Sequence, residues 1–258
     1  PCPIRARPAG RGGGRAGKAR LLGVDNDGHP KDEFSRGGAV AKLRFSSTEL
    51  RYGEQRVKTP VFASSDSRLL PETATGWLLT SRELPATTLF AGPFNESTDR
   101  NATSHDRGFV VNYSNGKQGD RFDLLGVRTT AIKGLSASLF SANYEDTWRQ
   151  HYLGAVYTQP LVPGQSLLVD LNLYRTEDTG KALSGRIDNT TWSLMSTYKL
   201  GAHSVGVGYQ KVSGDTPFDY VTRGAIYLSN AVALSDFNAP REASWQARYD
   251  LDLAGYGV

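Results

Sequence analysis

Apolar and polar side chains alternate with a period of two in many segments of this sequence. Between 165 and 176, Val169 and Leu171 belong to an aliphatic series, whereas Asp170 and Tyr174 belong to a mostly polar one. The same alternation returns at 242–253. Because a period of two places alternate side chains on opposite faces of a sheet, these segments are predicted strands. A soluble sandwich would bury its apolar faces against a second sheet, whereas a membrane barrel would turn them toward lipid.

Composition narrows the fold class. No apolar run in the 258 residues approaches the ~18 residues that a membrane-spanning helix needs, whereas barrel strands need only alternate apolar positions. The 12 Tyr, 10 Phe and 28 Gly residues suit strands and turns. The chain is therefore expected to be all-β, as one large domain or two smaller ones.

The positive net charge arises at the N-terminus. Six of the 30 Lys and Arg residues lie in the first 20 positions, which contain no acid, so the remaining chain has 24 bases and 26 acids. Residues 1–15 are rich in Pro, Gly and Arg and are expected to be a disordered or non-native basic segment, with the barrel at 16–258. A nucleic-acid partner is therefore not predicted.

The sequence contains no recognisable catalytic or metal-binding motif. Cys2 is its single cysteine, and no two of the four histidines have the spacing of metal ligands. Residues 25–28 resemble the start of a calcium loop but indicate an Asp-Gly turn. No cofactor, metal or enzymatic activity is predicted. A hydrolase is a second alternative, and in a channel the replacement of His151 would have no effect on function.

Short turns and long links alternate between the predicted strands. The strands are expected at 16–24, 37–46, 48–55, 76–83, 87–92, 120–132, 135–145, 147–159, 165–176, 190–200, 202–212 and 242–253. The long links are 25–36, 56–75, 93–119, 177–189 and 213–241. Sorting of loops by length is typical of an up-and-down transmembrane barrel, whose turns are short on the periplasmic rim. Trp148, Tyr152, Trp192 and Tyr198 are expected to face lipid near strand ends, as interfacial aromatic residues do.

Several segments resemble a known family. The most specific are SSTELRYG at 46–53, PVFASSDSRLLPETATG at 60–76, DRFD at 120–123 and SWQARYDL at 244–251. Shorter ones lie at 228–230 and 235–238. From about residue 16 to 258, the chain is similar to the substrate-specific outer-membrane porins typified by porin D of pseudomonads.

This resemblance implies an 18-stranded antiparallel barrel in the bacterial outer membrane, with long loops folded into its lumen. The chain resembles an incomplete copy with about a dozen of those strands. Its expected function is passive diffusion of small carboxylate-bearing solutes, either basic amino acids or aromatic and aliphatic acids. The expected partners are anionic or zwitterionic solutes and outer-membrane lipid, and the oligomeric state is left open. The alternative is a soluble β-sandwich that binds carbohydrate or another ligand.

Selection of carboxylates requires fixed positive charge along a narrow wet path, and arginine can hold a carboxylate with two hydrogen bonds. The alternation places several bases on the predicted lumen face. The resemblance also implies a row of basic lumen residues. The predicted lumen set is Lys42, Arg44, Arg51, Arg149 and Arg248, with Tyr174 narrowing the pore from a third side. His151 is expected on the same face as Arg149. Any single arginine could instead form a salt bridge within the wall.

Two long links are the candidate constriction loops. The link 56–75 contains two prolines and several apolar residues, which favour an ordered loop folded into the barrel. It would present Ser64, Ser65, Asp66, Ser67 and Arg68 to the solute. The link 213–241 would face it, with Asp236 attracting a basic group. Arg68 and Asp66 could equally anchor the first loop to the wall, and Asp236 could cap a surface loop.

Overall fold

The computed structural model describes residues 36–67, 70–100, 106–109, 111–113, 119–232 and 235–254. The predicted basic segment 1–15 and the predicted strand 16–24 lie outside these residues. In the described ranges, no helix is long and apolar enough to cross a membrane.

Strands account for most of the described chain. They are β1 (Val40–Phe45), β2 (Thr48–Gln55), β3 (Lys58–Thr59), β4 (Phe62–Ala63), β5 (Thr73–Ser81), β6 (Thr87–Thr98), β7 (Asp106–Arg107), β8 (Phe122–Thr129), β9 (Leu135–Tyr144), β10 (Trp148–Pro160), β11 (Gln165–Asp178), β12 (Asp188–Leu200), β13 (His203–Gly214) and β14 (Ala243–Leu251). The long strands lie close to the predicted segments.

The long strands form one antiparallel meander. Its order is β1-β2-β5-β6-β8-β9-β10-β11-β12-β13-β14, with β7 paired to β6 and with β3 and β4 forming a separate hairpin. Each strand therefore pairs with its neighbour in sequence, apart from the short strands in the loops. In the described part of the chain β1 and β14 are the two edges, so the wall is a partial barrel. This confirms the predicted all-β, up-and-down architecture.

Short and long connections lie on opposite rims. Turns at 46–47, 82–86, 130–134, 161–164 and 201–202 form one rim, and the described residues of the segments 56–72, 99–121, 145–147, 179–187 and 215–242 form the other. Strand β6 continues through Pro93, where the prediction ended it at 92. Because Pro93 has no N–H, it cannot donate a ladder bond, and a register shift interrupts the β5–β6 pairing beside it.

The two faces of the wall differ in what covers them. The long loops pack on one face, which is therefore the inner one, and bury Phe62, Phe94, Phe122, Tyr174 and Phe218 against it. The other face is uncovered and, away from the loop rim, apolar, with Leu125 64% and Leu139 56% exposed. In the described residues no second sheet covers this face, which excludes the sandwich alternative. A contiguous apolar surface of this size suits lipid rather than water.

The aromatic residues of the outer face partly match the prediction. Trp192 and Tyr198 share the outer face of β12, as expected. Trp192, Tyr209 and Trp245 form a row with ring centroids 5.3 and 4.5 Å apart. Trp148 and Tyr152, however, lie on the inner face and are 1% and 4% exposed. Their expected lipid-facing position is wrong, because the loops supply an apolar layer that these rings pack against.

Candidate functional site

The first constriction loop, 56–72, contains the hairpin β3–β4, and its described residues fold against the inner wall. Val57, Val61 and Phe62 are buried. The Phe62 ring lies 5.3 Å from Phe94 and 5.0 Å from Phe122, both of which project from wall strands. Burial of an aromatic side chain among others stabilises the docked loop by roughly 2–3 kcal/mol. The loop therefore lies inside the partial barrel, packed against the inner face of the sheet.

Tyr174 anchors both inward loops to the wall. Its hydroxyl donates to the carbonyl oxygen of Pro60 at 3.1 Å and accepts from the backbone N–H of Tyr227 at 3.2 Å. Its ring packs 4.7 Å from that of Tyr152 and 4.8 Å from that of Phe218. Tyr174 is on the inner face as expected but fully buried. It supports the two loops from the wall and, being fully buried, does not itself line the channel.

The serines of the first loop have mostly structural roles. Ser64 and Ser65 are buried, and the Ser64 hydroxyl accepts from the N–H of Val57 at 3.1 Å. Arg100 donates to the hydroxyl of Ser67 at 2.8 Å. The expectation that Ser64 and Ser65 face the solute is wrong, because the tight turn uses these polar groups to satisfy its own backbone and side chains.

Two of the predicted loop residues do reach the surface. Asp66 and Ser67 are exposed, and the carboxylate of Asp66 lies 2.6 Å from the guanidinium of Arg56. Arg68 lies outside the described residues. Among the described residues, Asp66 is therefore held by Arg56, a base of the same loop.

The two inward loops meet at the backbone carbonyl of Ala63. The Thr222 hydroxyl donates to the carbonyl oxygen of Ala63 at 2.5 Å. Gly224 packs against the same carbonyl so closely that an added Cβ would lie 1.7 Å from its oxygen. A side chain is thus excluded at Gly224 by the opposite loop. The loops 56–72 and 215–242 form one connected structure across the inner face.

Glu72 is a buried carboxylate at this junction. Its Oε2 accepts from the N–H of Ser65 at 3.1 Å and from the N–H of Arg223 at 3.0 Å. The guanidinium of Arg223 lies 3.2 Å from Asp99. Burial raises the pKa of Glu72, and the nearby charge of Asp99 adds to this effect, whereas the two N–H donors oppose it. Glu72 therefore couples the two loops through a titratable group.

Asp236, in the second loop, is half-buried and held by two tyrosines. Tyr113 donates to Asp236 Oδ2 at 2.5 Å and Tyr220 donates to the same oxygen at 2.8 Å. Burial and this carboxylate raise the pKa values of both phenols. Asp219 connects the same segments, since its Oδ1 accepts three backbone N–H groups, from 112, 113 and 220, at 2.8–3.1 Å. Asp236 thus contacts the segment 111–113 and forms no hydrogen bond with a described residue of the first loop.

Four of the five predicted lumen bases lie on the inner face. Lys42 pairs in register with Arg51, and Arg44 with Glu49, all on the side opposite to Leu43 and Leu50. Arg51 forms an ion pair with Glu49. On β14, Arg248 forms an ion pair with Asp250 at 2.6 Å, beside a cavity of about 240 Å³. This cavity is lined by Met195, Thr197, Ser204, Gly206, Arg248 and Asp250.

Arg149 and His151 do not lie with these bases. Both are exposed on the outer face of β10, because Trp148, Gln150 and Tyr152 occupy its inner face. The predicted inward orientation of Arg149 and His151 is therefore wrong. The error has a physical cause: near the loop rim the inner face is aromatic and the outer face polar, which reverses the pattern found lower on the wall.

Arg128 is an inner-face base that the sequence analysis missed. Its guanidinium carbon lies 5.8 Å from the centre of the Phe90 ring, and among the described residues it forms no ion pair. Arg128 alternates with Val127 and Thr129 in a predicted strand, so the same parity argument would have found it.

A hydrogen-bond chain crosses the inner face from β10 to β11. The Tyr152 hydroxyl donates to Asn172 Oδ1 at 2.6 Å, and Asn172 Nδ2 donates to Asp170 at 2.8 Å.

A partial antiparallel wall with a lipid-compatible outer face, a polar inner face and loops folded onto that inner face defines part of a transmembrane β-barrel of the porin class. A family model described as "outer membrane porin, OprD family" matches residues 10–258. The chain belongs to the OprD family of outer-membrane porins. This confirms the family, the outer-membrane location and the non-enzymatic class predicted from the sequence.

Relatives of known name support this membership. The chain is 48% identical over 246 residues to Porin D of Pseudomonas aeruginosa, covering 92% of this chain and 55% of that protein. It is 34% identical over 253 residues to the porin-like protein GalP of Pseudomonas putida, covering 96% of this chain and 60% of that protein. The chain thus spans little more than half the length of these curated relatives.

Solved structures show the same fold. The structure of Pseudomonas aeruginosa OccK1 (OpdK) matches with a TM-score of 0.86 and 32% identity, over 93% of this chain and 64% of that one. The structure of Pseudomonas aeruginosa OccD3 (OpdP) matches with a TM-score of 0.80 and 39% identity, over 84% of this chain and 53% of that one.

Proposed function

We propose that this chain forms part of a substrate-selective channel through which small carboxylate-bearing solutes diffuse passively. The observation that carries the proposal is the excess of positive charge on the inner wall below the loops. The bases there are Lys42, Arg44, Arg51, Arg128, Lys199 and Arg248, and the acids are Glu49, Asp170 and Asp250. Such a wall attracts anions, because its low-dielectric surroundings focus the field of the fixed charges.

Some of these bases are better placed than others to meet a solute. Arg51 and Arg248 already have carboxylate partners, whereas Lys42, Arg44 and Arg128 form no ion pair with a described residue. A base without a partner can bind a solute carboxylate without first breaking a salt bridge. Arg128 replaces Arg149 in the proposed set. Weak contacts at several such positions would let the solute leave as readily as it enters.

The loops would supply the discrimination. Asp66 and Ser67 are exposed polar residues of the first loop, and Asp236 is a half-buried acid of the second. In the proposal, Asp236 attracts the amino group of a zwitterionic solute while an inner-wall base meets its carboxylate. A structure of Pseudomonas aeruginosa OpdK, 31% identical to this chain, was determined with vanillate, which is an aromatic carboxylate.

The test compares charged and neutral solutes. The chain is reconstituted into planar bilayers or liposomes, and the fluxes of benzoate and of benzyl alcohol are measured. Replacing both Arg44 and Arg128 with glutamine should reduce benzoate flux about tenfold and leave benzyl alcohol nearly unchanged, since each lost charge–charge hydrogen bond is worth about 1 kcal/mol or more. Lys211→Gln, on the outer face of β13, is the matched control. Equal losses for both solutes would contradict carboxylate selection.

A further inference from the structure

A depression of about 320 Å³ opens on the outer face of β8, β9 and β10, away from the channel. Its cause is a short side chain between two longer ones, because Ser141 lies in register between Leu125 and His151. The residues that line it are Leu89, Leu125, Gly126, Val127, Leu139, Phe140, Ser141 and His151. The lining is apolar except at the end formed by Ser141 and His151.

A base with no ion-pair partner in the described part of the chain lies next to this polar end. Arg149 is the next outward residue along β10 and pairs in register with Asn143 and Glu177. Glu177 is already bound to Arg175, which also lies 2.7 Å from Asp188. Arg149 itself forms no ion pair with any described residue. The guanidinium of Arg149 and the imidazole of His151 are therefore both available on the outer surface.

The height of these two residues matches the edge of the membrane. Arg149 is eight positions along β10 from Tyr157, an outward aromatic residue near the short-turn rim. At ~3.3 Å per residue and a strand tilt near 40°, this places Arg149 ~20 Å above Tyr157, and an apolar band is ~25 Å tall. A cation in the hydrocarbon centre is costly, whereas at this level its long side chain reaches the headgroups.

We propose that this surface binds a phosphorylated acyl glycolipid of the outer leaflet, of the lipid A type. Its phosphate is held by Arg149 and His151, and one of its acyl chains lies in the depression over Ser141. Charge complementarity favours this occupant, since a phosphate matches a guanidinium and an imidazole that form no ion pair with a described residue. A sugar-phosphate headgroup also supplies hydroxyl groups that the Asn143 side chain, in register with Arg149, can bind.

The test uses the chain in nanodiscs or micelles, with binding measured by native mass spectrometry and by the rise in melting temperature. The ligands are bisphosphorylated lipid A, the same lipid with its phosphates removed, and phosphatidylglycerol. The variants are the pair Arg149→Gln with His151→Gln, and separately Ser141→Leu, which fills the depression. Arg121→Gln is the control, because Arg121 lies on the same rim but is already paired with Asp123 at 2.9 Å.

The proposal expects both variants to weaken binding of bisphosphorylated lipid A about tenfold, with Arg121→Gln unchanged and channel flux unaffected. It also expects the dephosphorylated lipid to bind the wild type as weakly as lipid A binds the double variant. Equal binding of the two forms of lipid A would overturn the proposal. So would tighter binding of phosphatidylglycerol, or an equal loss on Arg121→Gln.

Discussion

The contact between the inward loops gives the sharpest prediction, the substitution Gly224→Ala. The added Cβ would lie 1.7 Å from the carbonyl oxygen of Ala63, whereas ordinary contact begins near 3.4 Å. The loops 56–72 and 215–242 must therefore separate by about 1.7 Å. Gly224 has no positive φ, so the backbone itself accepts alanine and the effect arises from this clash.

A separation of this size breaks two hydrogen bonds. The Thr222–Ala63 bond of 2.5 Å and the Arg223–Glu72 bond of 3.0 Å would both exceed hydrogen-bond range. Each of the two bonds contributes about 1 kcal/mol, and a buried carboxylate that loses a donor costs about 1–3 kcal/mol more, so the docked loops should be destabilised by about 3–5 kcal/mol. A less tightly docked constriction should fluctuate more.

Single-channel recording and thermal unfolding measure the effect. Gly224→Ala should give a higher and noisier open-channel current and a lower melting temperature. Gly37→Ala is the matched control, because nothing lies within 4 Å of the Cβ it would add. A conductance and a melting temperature equal to those of the wild type would refute the inference that the two loops form one connected structure.

Three further substitutions address the contacts that anchor the loops. Because the folded protein raises the pKa of Glu72 above its ordinary 4.5, wild-type stability should fall as pH rises from about 4.5 to the folded pKa, and Glu72→Gln should abolish that part of the pH dependence in thermal melts. Tyr174→Phe leaves the Pro60 carbonyl and the Tyr227 N–H without their partner and should lower the unfolding free energy by about 1–3 kcal/mol, measured by denaturant titration in micelles. Asp219→Ala removes the acceptor of three N–H groups and should increase hydrogen exchange at 112, 113 and 220, whereas unchanged exchange would argue against this anchor.

Much of the wall could be predicted from sequence because strand periodicity reports directly on which face meets which medium. On β11, Val169 and Leu171 face outward and Asp170 faces inward, as the alternation indicates. On β10 the same reasoning failed at Arg149. The loops bury the upper inner face there, so aromatic residues point inward and charged residues point outward. Periodicity within one strand contains no information about a loop distant in sequence that covers it.

The loops were less predictable for a related reason. Their position inside the wall followed from their length and apolar content, but the roles of single residues depended on contacts distant in sequence. Ser64 satisfies the backbone of Val57, and Tyr174 binds Pro60 and Tyr227 from 114 and 53 positions away. The hairpin β3–β4 has only two residues per strand, too few for any periodic signal.

The central claim is that the apolar face of the wall meets lipid and the polar face meets water. Single cysteines at Leu171, Ala247 and Gln246, in a Cys2→Ser background, would carry a fluorophore in reconstituted membranes. Ala247 and Gln246 are sequence neighbours on opposite faces of β14. Brominated lipid should quench the labels at Leu171 and Ala247, and aqueous iodide should quench the label at Gln246. Labels at Leu171 and Ala247 that are shielded from lipid, or packed against another protein layer in a water-soluble particle, would contradict the account.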